Sequence, residues 1–287
     1  MNDTTSKAAD IEAEEGKVAL DAEAEEVVAD RRAASALIVH EVVRRQGIEE
    51  LERPASSLLW SGIAAGIVIG LSLVGKATAE TAVEQGTWTP LLQSLGYALG
   101  FLIIILGRLQ LFTESTLSAV LPLVTDFTRR NLGRTLRLWG LVLAANLVGT
   151  LVFACFVAVG GFGAEKTGEL VEVSRVLFGH LGMHGFLAAI PAGFLLATVV
   201  WTLPSAEGQK VTLILLLTGL IDLGGFAHAV AGAAEMWILL LVGEMSFGQA
   251  FGGFLLPVVL GNMVGGSALF ALLAHAQVRG EIDEDDG

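Results

Sequence analysis

Charged residues, cysteine and basic clusters are scarce in this chain of 287 residues. Asp, Glu, Lys and Arg make up 16% of it, whereas a soluble domain carries roughly 25%. The single cysteine, Cys155, cannot make an internal disulfide bond. Basic residues form no patch outside the short loops, so a nucleic acid partner is not expected. Composition thus argues against a soluble domain and against a nucleic-acid-binding protein.

Apolar sequence is abundant instead. Apolar types make up 53% of the chain, and there are 35 glycines. Small residues let membrane helices approach closely. The formal net charge of −13 lies mostly in the two ends, of which the second is EIDEDDG. Acidic ends are typical of solvated, partly disordered segments. The composition predicts an all-α membrane protein with charged tails.

Six apolar runs follow Pro54, and a spanning helix needs about 20 such residues. The runs cover residues 57–75, 91–124, 136–159, 181–203, 211–242 and 251–274. The predicted organisation is an acidic disordered tail at 1–30, a cytoplasmic amphipathic helix at 31–53, a six-span domain at 54–276 and an acidic cytoplasmic tail at 277–287. In the amphipathic helix, Ile38, Val42 and Val43 share the apolar side.

The second and fifth runs are too long for one straight span. As unbroken helix each would extend about 50 Å, against a hydrocarbon core of roughly 30 Å. Both carry polar and glycine residues near the middle, in GRLQLFTES and IDLGGFAHA. We therefore predict that both helices are broken inside the membrane.

The short loops predict the orientation. Four arginines, at 129, 130, 134 and 137, follow the second run, whereas the next loop is richer in glutamate. The positive-inside rule places the arginine loop in the cytoplasm. Six spans then put both termini in the cytoplasm.

The chain also resembles itself. ANLVGT around Asn146 matches GNMVGG around Asn262, 116 residues later, and Thr113 precedes His228 by 115 residues. Each half thus has a plain helix, a broken helix and a helix with an Asn-x-Val-Gly string. Three spans per half require the halves to be inverted. Inverted repeats with broken helices place a binding site near the midplane.

His228 is the strongest candidate for a pathway residue, because it lies at a predicted break within an apolar run. The alternative is a core histidine bonded to a backbone carbonyl. Irregular backbone at membrane depth is tolerated mainly beside a cavity or inside protein, and ionisable groups there are usually functional. An anion beside the imidazole would favour its protonated form, which supports a hypothesis of proton-assisted anion passage.

The matching break contains Leu111, Phe112 and Thr113. The first two are candidate gate side chains, and Thr113 is a candidate hydrogen-bond partner of His228; simple packing at a loop is the alternative. Asn146 and Asn262 either tie the broken backbone together or face the pathway.

Four charged residues lie within the apolar runs: Arg108, Glu114, Asp222 and Glu235. We expect them to pair with one another or to lie near helix ends, since unpaired charges are costly there. Arg108 could instead draw anions toward the cytoplasmic mouth. His180 and His184 have the i, i+4 spacing of two metal ligands on one helix face, but no third ligand is near, and neither metal nor cofactor is expected.

LFTEST, GFAHAV and GNMVGG resemble motifs of the formate/nitrite transporter family. HEVVRRQGIEELERPASSLLWSGIAAG, RLQLFTESTLSAVLPLV, RLWGLVLAANLVGT and LFALLAHAQVR are closely similar to its YfdC-like branch. The similarity covers about His40 to Arg279.

The resemblance implies an aquaporin-like fold and a homopentamer in the lipid of a bacterial inner membrane. It also implies one pore per protomer for small monovalent anions such as formate or nitrite. Carried over by position, the resemblance implies that Thr113 and His228 form a central polar pair. It implies that Leu111 and Phe112 form an apolar constriction and that Tyr97, Phe101 and Ile221 are further apolar gate residues. It places Asn262 at a polar pore position. The family's vestibule lysine has no clear counterpart, Arg175 and His180 being nearest.

Two other functions compete with an anion channel. One is a channel-like protein that does not conduct and serves as a scaffold or sensor through its acidic ends. The other is a membrane enzyme, which would need a cluster of histidines or carboxylates near one face. The sequence offers only His180 and His184 at such a spacing, so an enzyme is not expected.

Overall fold

The computed structural model describes residues 35–285, with side chains described as far as residue 280. The predicted acidic tail at 1–30 and the first residues of the predicted amphipathic helix lie outside this part of the chain. Within residues 35–285 every regular element is helical, as the composition predicts.

The α-helices, in chain order, are α1 Ala36–Glu52, α2 Ala55–Ala82, α3 Thr89–Leu106, α4 Ser115–Ser118, α5 Val120–Thr125, α6 Arg129–Ala158, α7 Ala164–Ser174, α8 Gly182–Thr202, α9 Lys210–Leu223, α10 Ala229–Leu241, α11 Leu256–Met263 and α12 Leu272–Asp285. Two π-helical stretches, Gly248–Leu255 before α11 and Val264–Ala271 between α11 and α12, make these helices one continuous span. Among the described residues, five helical segments are long and apolar enough to cross a membrane. The half-helices α9 and α10 make up the sixth crossing.

Both predicted breaks are present. The second span stops at Leu106 and resumes at Ser115, and the fifth stops at Leu223 and resumes at Ala229. Gly225 adopts a positive φ of 63° in the fifth span, and Arg108 adopts a positive φ of 51° in the second. A left-handed conformation is uncommon for a residue other than glycine, so helix α3 ends in a turn at Arg108 that has some conformational cost.

The first span is longer than its apolar run. Helix α2 continues to Ala82, past the predicted end at Gly75. The apolar pattern ends there because Lys76 follows, yet the helix continues since Lys76 is paired inside the protein with Asp222. A charged residue thus marks an internal ion pair here and not a helix end.

The two halves pack in the same way, with α2 against α6 and α8 against α11. At the closest approaches stand Gly66 and Gly193, where an added Cβ would overlap the backbone at Asn146 and at Asn262, respectively. Close approach of this kind is what small residues allow in membrane helices. It brings each asparagine beside one of the breaks.

Helix α1 packs on α4, α5 and α12 through a face different from the predicted one. Val39, Val43 and Gly47 are buried, whereas Ile38 is 55% exposed. Near its end, the Glu50 carboxylate accepts a hydrogen bond of 2.6 Å from the Ser118 hydroxyl. The helix is therefore attached to the broken second span.

His40 and His275 join α1 to α12. Nε2 of His40 lies 3.3 Å from Nδ1 of His275, and the His40 side chain is buried. Burial, followed by the neighbouring His275, lowers the pKa of His40 to about 4 from its ordinary value of 6.5. Glu41 and Arg44 act on it in opposite directions and more weakly.

This contact predicts that attachment of α1 is weakened by acid. When α1 is released, His40 binds a proton at a higher pH than it does when it is buried. The stabilisation is therefore complete above about pH 6.5 and is lost as the pH falls toward 4. Hydrogen exchange of α1 between pH 7.5 and 4.5, corrected for intrinsic rates, should show falling protection. His40→Gln cannot titrate and is the control; an equal loss of protection in both proteins would contradict the assignment to His40.

Candidate functional site

The two breaks bring Thr113 and His228 together. Oγ1 of Thr113 lies 2.7 Å from Nε2 of His228, and the two residues are 0% and 2% exposed. This is the partnership that the sequence suggested. A buried polar pair therefore lies between the two discontinuous spans.

The hydrogen bonds of His228 identify its tautomer. It is the N-cap of α10, and its Nδ1 accepts a hydrogen bond of 3.1 Å from the backbone N–H of Ala231. A nitrogen that accepts from an N–H carries no proton, so the imidazole proton is on Nε2 and is donated to Thr113. The arrangement is that of a neutral imidazole with both nitrogens in use.

Asn262 ties the backbone of the fifth span. Its Oδ1 accepts from the Ala229 N–H at 2.8 Å, and its Nδ2 donates to the carbonyls of Ala227 at 3.0 Å and Ala189 at 2.8 Å. Both amide hydrogens are thus used by the protein.

Asn146 does the same for the second span. Its Oδ1 accepts from the Phe112 N–H at 2.9 Å, and its Nδ2 donates to the carbonyls of Gln110 at 2.9 Å and Gly62 at 2.8 Å. Of the two roles that the sequence left open for the asparagines, the structure shows the tie between backbone segments. A pore-facing amide is not what the contacts show, because both residues are fully buried and donate twice to carbonyls.

These contacts correct the repeat offset at the breaks. Gln110 and Phe112 in one half contact the asparagine as Ala227 and Ala229 do in the other. The equivalent positions are 117 residues apart, so the counterpart of His228 is Leu111. Thr113, which the sequence offset of 115 aligned with His228, is its contact partner and not its counterpart.

Aromatic and aliphatic side chains surround the polar pair. The Phe101 ring packs edge-on against His228 with centroids 4.9 Å apart, and Tyr97 lies 5.3 Å from Phe101. Leu111 and Ile221 are fully buried. Phe112 is buried as well, but its ring packs against Trp139, with centroids 6.3 Å apart. The side chains predicted as apolar gates are thus all buried, and of their rings Phe101 packs directly against His228.

Arg108 does not join this group. Its side chain is exposed at the break of the second span, and it does not line the cavity next to His228. Among the described residues, the four charged residues of the apolar runs make no ion pair with one another. Of the two expected arrangements, Arg108, Glu114 and Asp222 lie near helix ends, whereas Glu235 lies within α10. Asp222 and Glu235 line a common cavity.

That cavity, of about 60 Å³, lies beside His228 toward the end of the bundle where α2 ends and α3 begins. We call it the Lys76 cavity; its polar lining consists of Lys76, Tyr97, His180, Asp222, His228 and Glu235. Lys76 Nζ lies 2.6 Å from Asp222 Oδ1, and the Ser94 hydroxyl donates to Asp222 Oδ2 at 3.1 Å. Three helices, α2, α3 and α9, therefore meet at one buried ion pair.

Lys76 is the residue that sequence reasoning missed. It follows directly after the first apolar run, where a lysine is ordinarily an interfacial anchor. The available signal was that Asp222, a carboxylate inside an apolar run, needed a cation. His180 lies at the cavity mouth and contacts the Gly225 carbonyl at 3.0 Å. The sequence made it a candidate metal ligand or vestibule residue. Burial lowers its pKa.

The described residues provide no group of three His, Cys, Asp or Glu side chains placed to hold a metal ion. His184 Nδ1 lies 2.6 Å from the Gly179 carbonyl, and its ring stacks on that of His180 with centroids 6.3 Å apart. Both histidines thus contact backbone carbonyls.

Known sequences resemble this chain over most of its length. A sequence model described as "Formate/nitrite transporter" matches residues 38–276. "Inner membrane protein YfdC" of Escherichia coli (strain K12) is 40% identical over 258 residues, covering 90% of this chain and 83% of the relative. "Formate channel FocA" of Haemophilus influenzae is 27% identical over 245 residues, covering 75% and 84%, respectively.

Two solved structures share the fold. One, "FNT family ion channel", aligns with a TM-score of 0.72 at 18% identity and covers 83% of this chain and 98% of its own. The other, "Pentameric formate channel with formate bound", aligns with a TM-score of 0.66 at 21% identity and covers 78% and 97%. At these identities the alignments establish the helical architecture with its two inverted halves.

Proposed function

Since this chain is a member of the formate/nitrite transporter family, we propose that it passes small monovalent anions, such as formate or nitrite, across a bacterial inner membrane. The resemblance seen in the sequence is confirmed, and the protein is a membrane transport protein and not an enzyme. The pathway that we propose runs through each protomer between the two broken spans.

The observation that carries this proposal is the buried Thr113–His228 pair at the meeting point of the breaks. Helix α10 begins directly after His228, and the N-terminal end of a helix favours negative charge. With the His228 proton donated to Thr113, the threonine hydroxyl proton is left to donate to an anion. Polar donors between half-helices are a common way to bind anions at the membrane midplane.

We propose that the pathway is lined by His228, Thr113, Leu111, Phe112, Tyr97, Phe101 and Ile221, with Lys76 at its mouth. Asn146 and Asn262 support it through the backbone, and Arg108 lies away from it. Proton-assisted passage remains part of the proposal.

A pentamer is the assembly that we propose, following the solved relative described as a pentameric formate channel. Trp60, Leu136 and Val152 are exposed on the protomer and would face membrane lipid or neighbouring protomers. We also propose that the α1 end and both termini face the cytoplasm, because the start of α6 is rich in arginine. The relative named as an inner membrane protein supports the location.

The test is flux in liposomes. Purified protein should admit formate or nitrite, measured at pH 5.5 and 7.5 against empty liposomes and against a bulky dicarboxylate. Flux of none of the small anions at either pH would contradict passage. It would favour the alternative of a non-conducting scaffold or sensor.

A further inference from the structure

The Lys76 cavity contains one carboxylate that has no cation of its own. Asp222 is paired with Lys76 at 2.6 Å and bonded to Ser94. Glu235, two turns after His228 on α10, is only 8% exposed and lines the same cavity. Among the described residues no cation lies within ion-pair distance of Glu235. The charges of Lys76 and Asp222 cancel each other, whereas an ionised Glu235 has no counter-charge at ion-pair distance in the described part of the chain.

The central histidine is poorly placed to take up a proton. Its Nδ1 accepts from the Ala231 N–H, and its Nε2 already donates to Thr113. A second proton on the ring would go to Nδ1 and would face the Ala231 N–H, so the N-cap bond of α10 would be lost. Protonation of His228 therefore disrupts the start of the helix that positions it.

The other titratable groups near Glu235 also leave its carboxyl as the group whose protonation can vary. From α2 and α9, Lys76 and Asp222 act on Glu235 electrostatically and are bound to each other. Tyr97, on α3, carries a phenol, which ordinarily ionises at about pH 10. His180 lies at the mouth and contacts the Gly225 carbonyl.

Helix α7 also packs on α10, and its Lys166 and Glu169 pair with each other. The final span packs on α10 through Phe254, which lies against Gly232. Neither element adds an uncompensated charge to the cavity lining.

An ionised Glu235 and an anion cannot share so small a space without strong repulsion. Two like charges about 6 Å apart at an effective dielectric constant of 20 weaken binding by roughly a hundredfold. A protonated Glu235 removes this repulsion and becomes a hydrogen-bond donor.

We infer that Glu235 is the proton-binding group of the pathway, and that a small monovalent anion occupies the Lys76 cavity only together with a proton on the Glu235 carboxyl. The proton comes from solution on the side from which the anion enters and forms an O–H bond on Glu235. It leaves to solution when the anion moves on. This inference rests on the proposed anion passage and assigns its proton to Glu235 in place of His228.

The experiment measures binding of formate and nitrite to the detergent-solubilised protein between pH 5 and 9 by titration calorimetry. In the native protein the affinity should fall as the pH rises, approaching tenfold per unit. Buffers of different ionisation enthalpy should show uptake of up to one proton per anion in that range. Glu235→Gln, which keeps the size and the donor, should bind with an affinity that does not vary with pH and exceeds the native affinity at pH 9.

His228→Asn is the matched control, because asparagine retains an N-cap acceptor. It should keep the pH slope of the native protein even if binding is weaker. A slope that vanishes in His228→Asn and persists in Glu235→Gln would return the proton to the histidine and overturn the inference. So would a native affinity that does not change across the whole pH range.

The binding experiment and the flux experiment test the two proposals independently. Anion binding with the expected slope but without flux in liposomes would uphold the proton site and refute passage. Flux together with affinities that do not vary with pH would uphold passage and refute the proton site. If neither anion binds at any pH, both proposals fall. Proton uptake is measured on the native protein, so the test does not depend on a variant that folds.

Discussion

Replacing His228 with phenylalanine is expected to reduce formate or nitrite flux by about 10- to 150-fold, corresponding to the loss of one charge-assisted hydrogen bond worth about 1.5–3 kcal/mol. Phenylalanine fills the imidazole space beside Phe101 but leaves Thr113 without its partner. Without the imidazole, the Thr113 hydroxyl is no longer held in the orientation that lets it donate to an anion, and this charge-assisted bond is lost. Initial rates of uptake into liposomes containing equal amounts of protein measure the effect.

This substitution also removes the N-cap of α10, which costs about 1 kcal/mol. His228→Asn separates the two losses, since it retains a cap acceptor and cannot reproduce the bond of 2.7 Å to Thr113. Thr113→Val removes only the hydroxyl group and should reduce flux to a similar extent as His228→Phe. Native rates in both Thr113→Val and His228→Phe would show that the polar pair is structural and that anions pass elsewhere.

The existence of the breaks was predictable because length alone requires them. A run from 91 to 124 cannot cross a hydrocarbon core of roughly 30 Å as a straight helix, and the structure interrupts it between Leu106 and Ser115. The inverted repeat followed from the two asparagine strings and an odd number of spans per half. Periodicity and length are properties of the chain itself.

The register at the breaks could not be predicted in this way. Sequence similarity aligned Thr113 with His228, yet hydrogen bonds to Asn146 and Asn262 make Leu111 the equivalent of His228. A loop of irregular backbone has no periodicity from which to count. Its register is determined by which carbonyls and N–H groups reach the asparagine amide.

Charges inside the runs were the least predictable feature. Asp222 is paired with Lys76, which lies 146 residues away in the chain and beyond the end of the first apolar run. Arg108 is exposed at the break of the second span and does not line the Lys76 cavity. The partner of a membrane charge depends on how the helices are assembled, and local sequence does not contain that information.

The two asparagines are expected to be the most sensitive positions for stability. Asn262→Ala removes three hydrogen bonds, leaving the Ala229 N–H and the Ala227 carbonyl unsatisfied at a buried break. Each unsatisfied buried group costs about 1–3 kcal/mol, so a loss of about 3–5 kcal/mol is expected. For a chain of this size that corresponds to a fall in melting temperature of about 10 °C, measured by thermal unfolding in detergent.

Asn146→Ala should have a similar effect, because Asn146 makes the equivalent three bonds to Phe112, Gln110 and Gly62. Asn131→Ala is the matched control: its side chain bonds to Asp126 at an exposed loop, where loss is expected to cost less than about 1 kcal/mol. If the Asn262 and Asn146 variants melted like the Asn131 variant, the asparagines would not be what holds the broken spans together. The position of His228 opposite Thr113 would then need another support, because the Asn262 amide joins the backbone on both sides of that histidine.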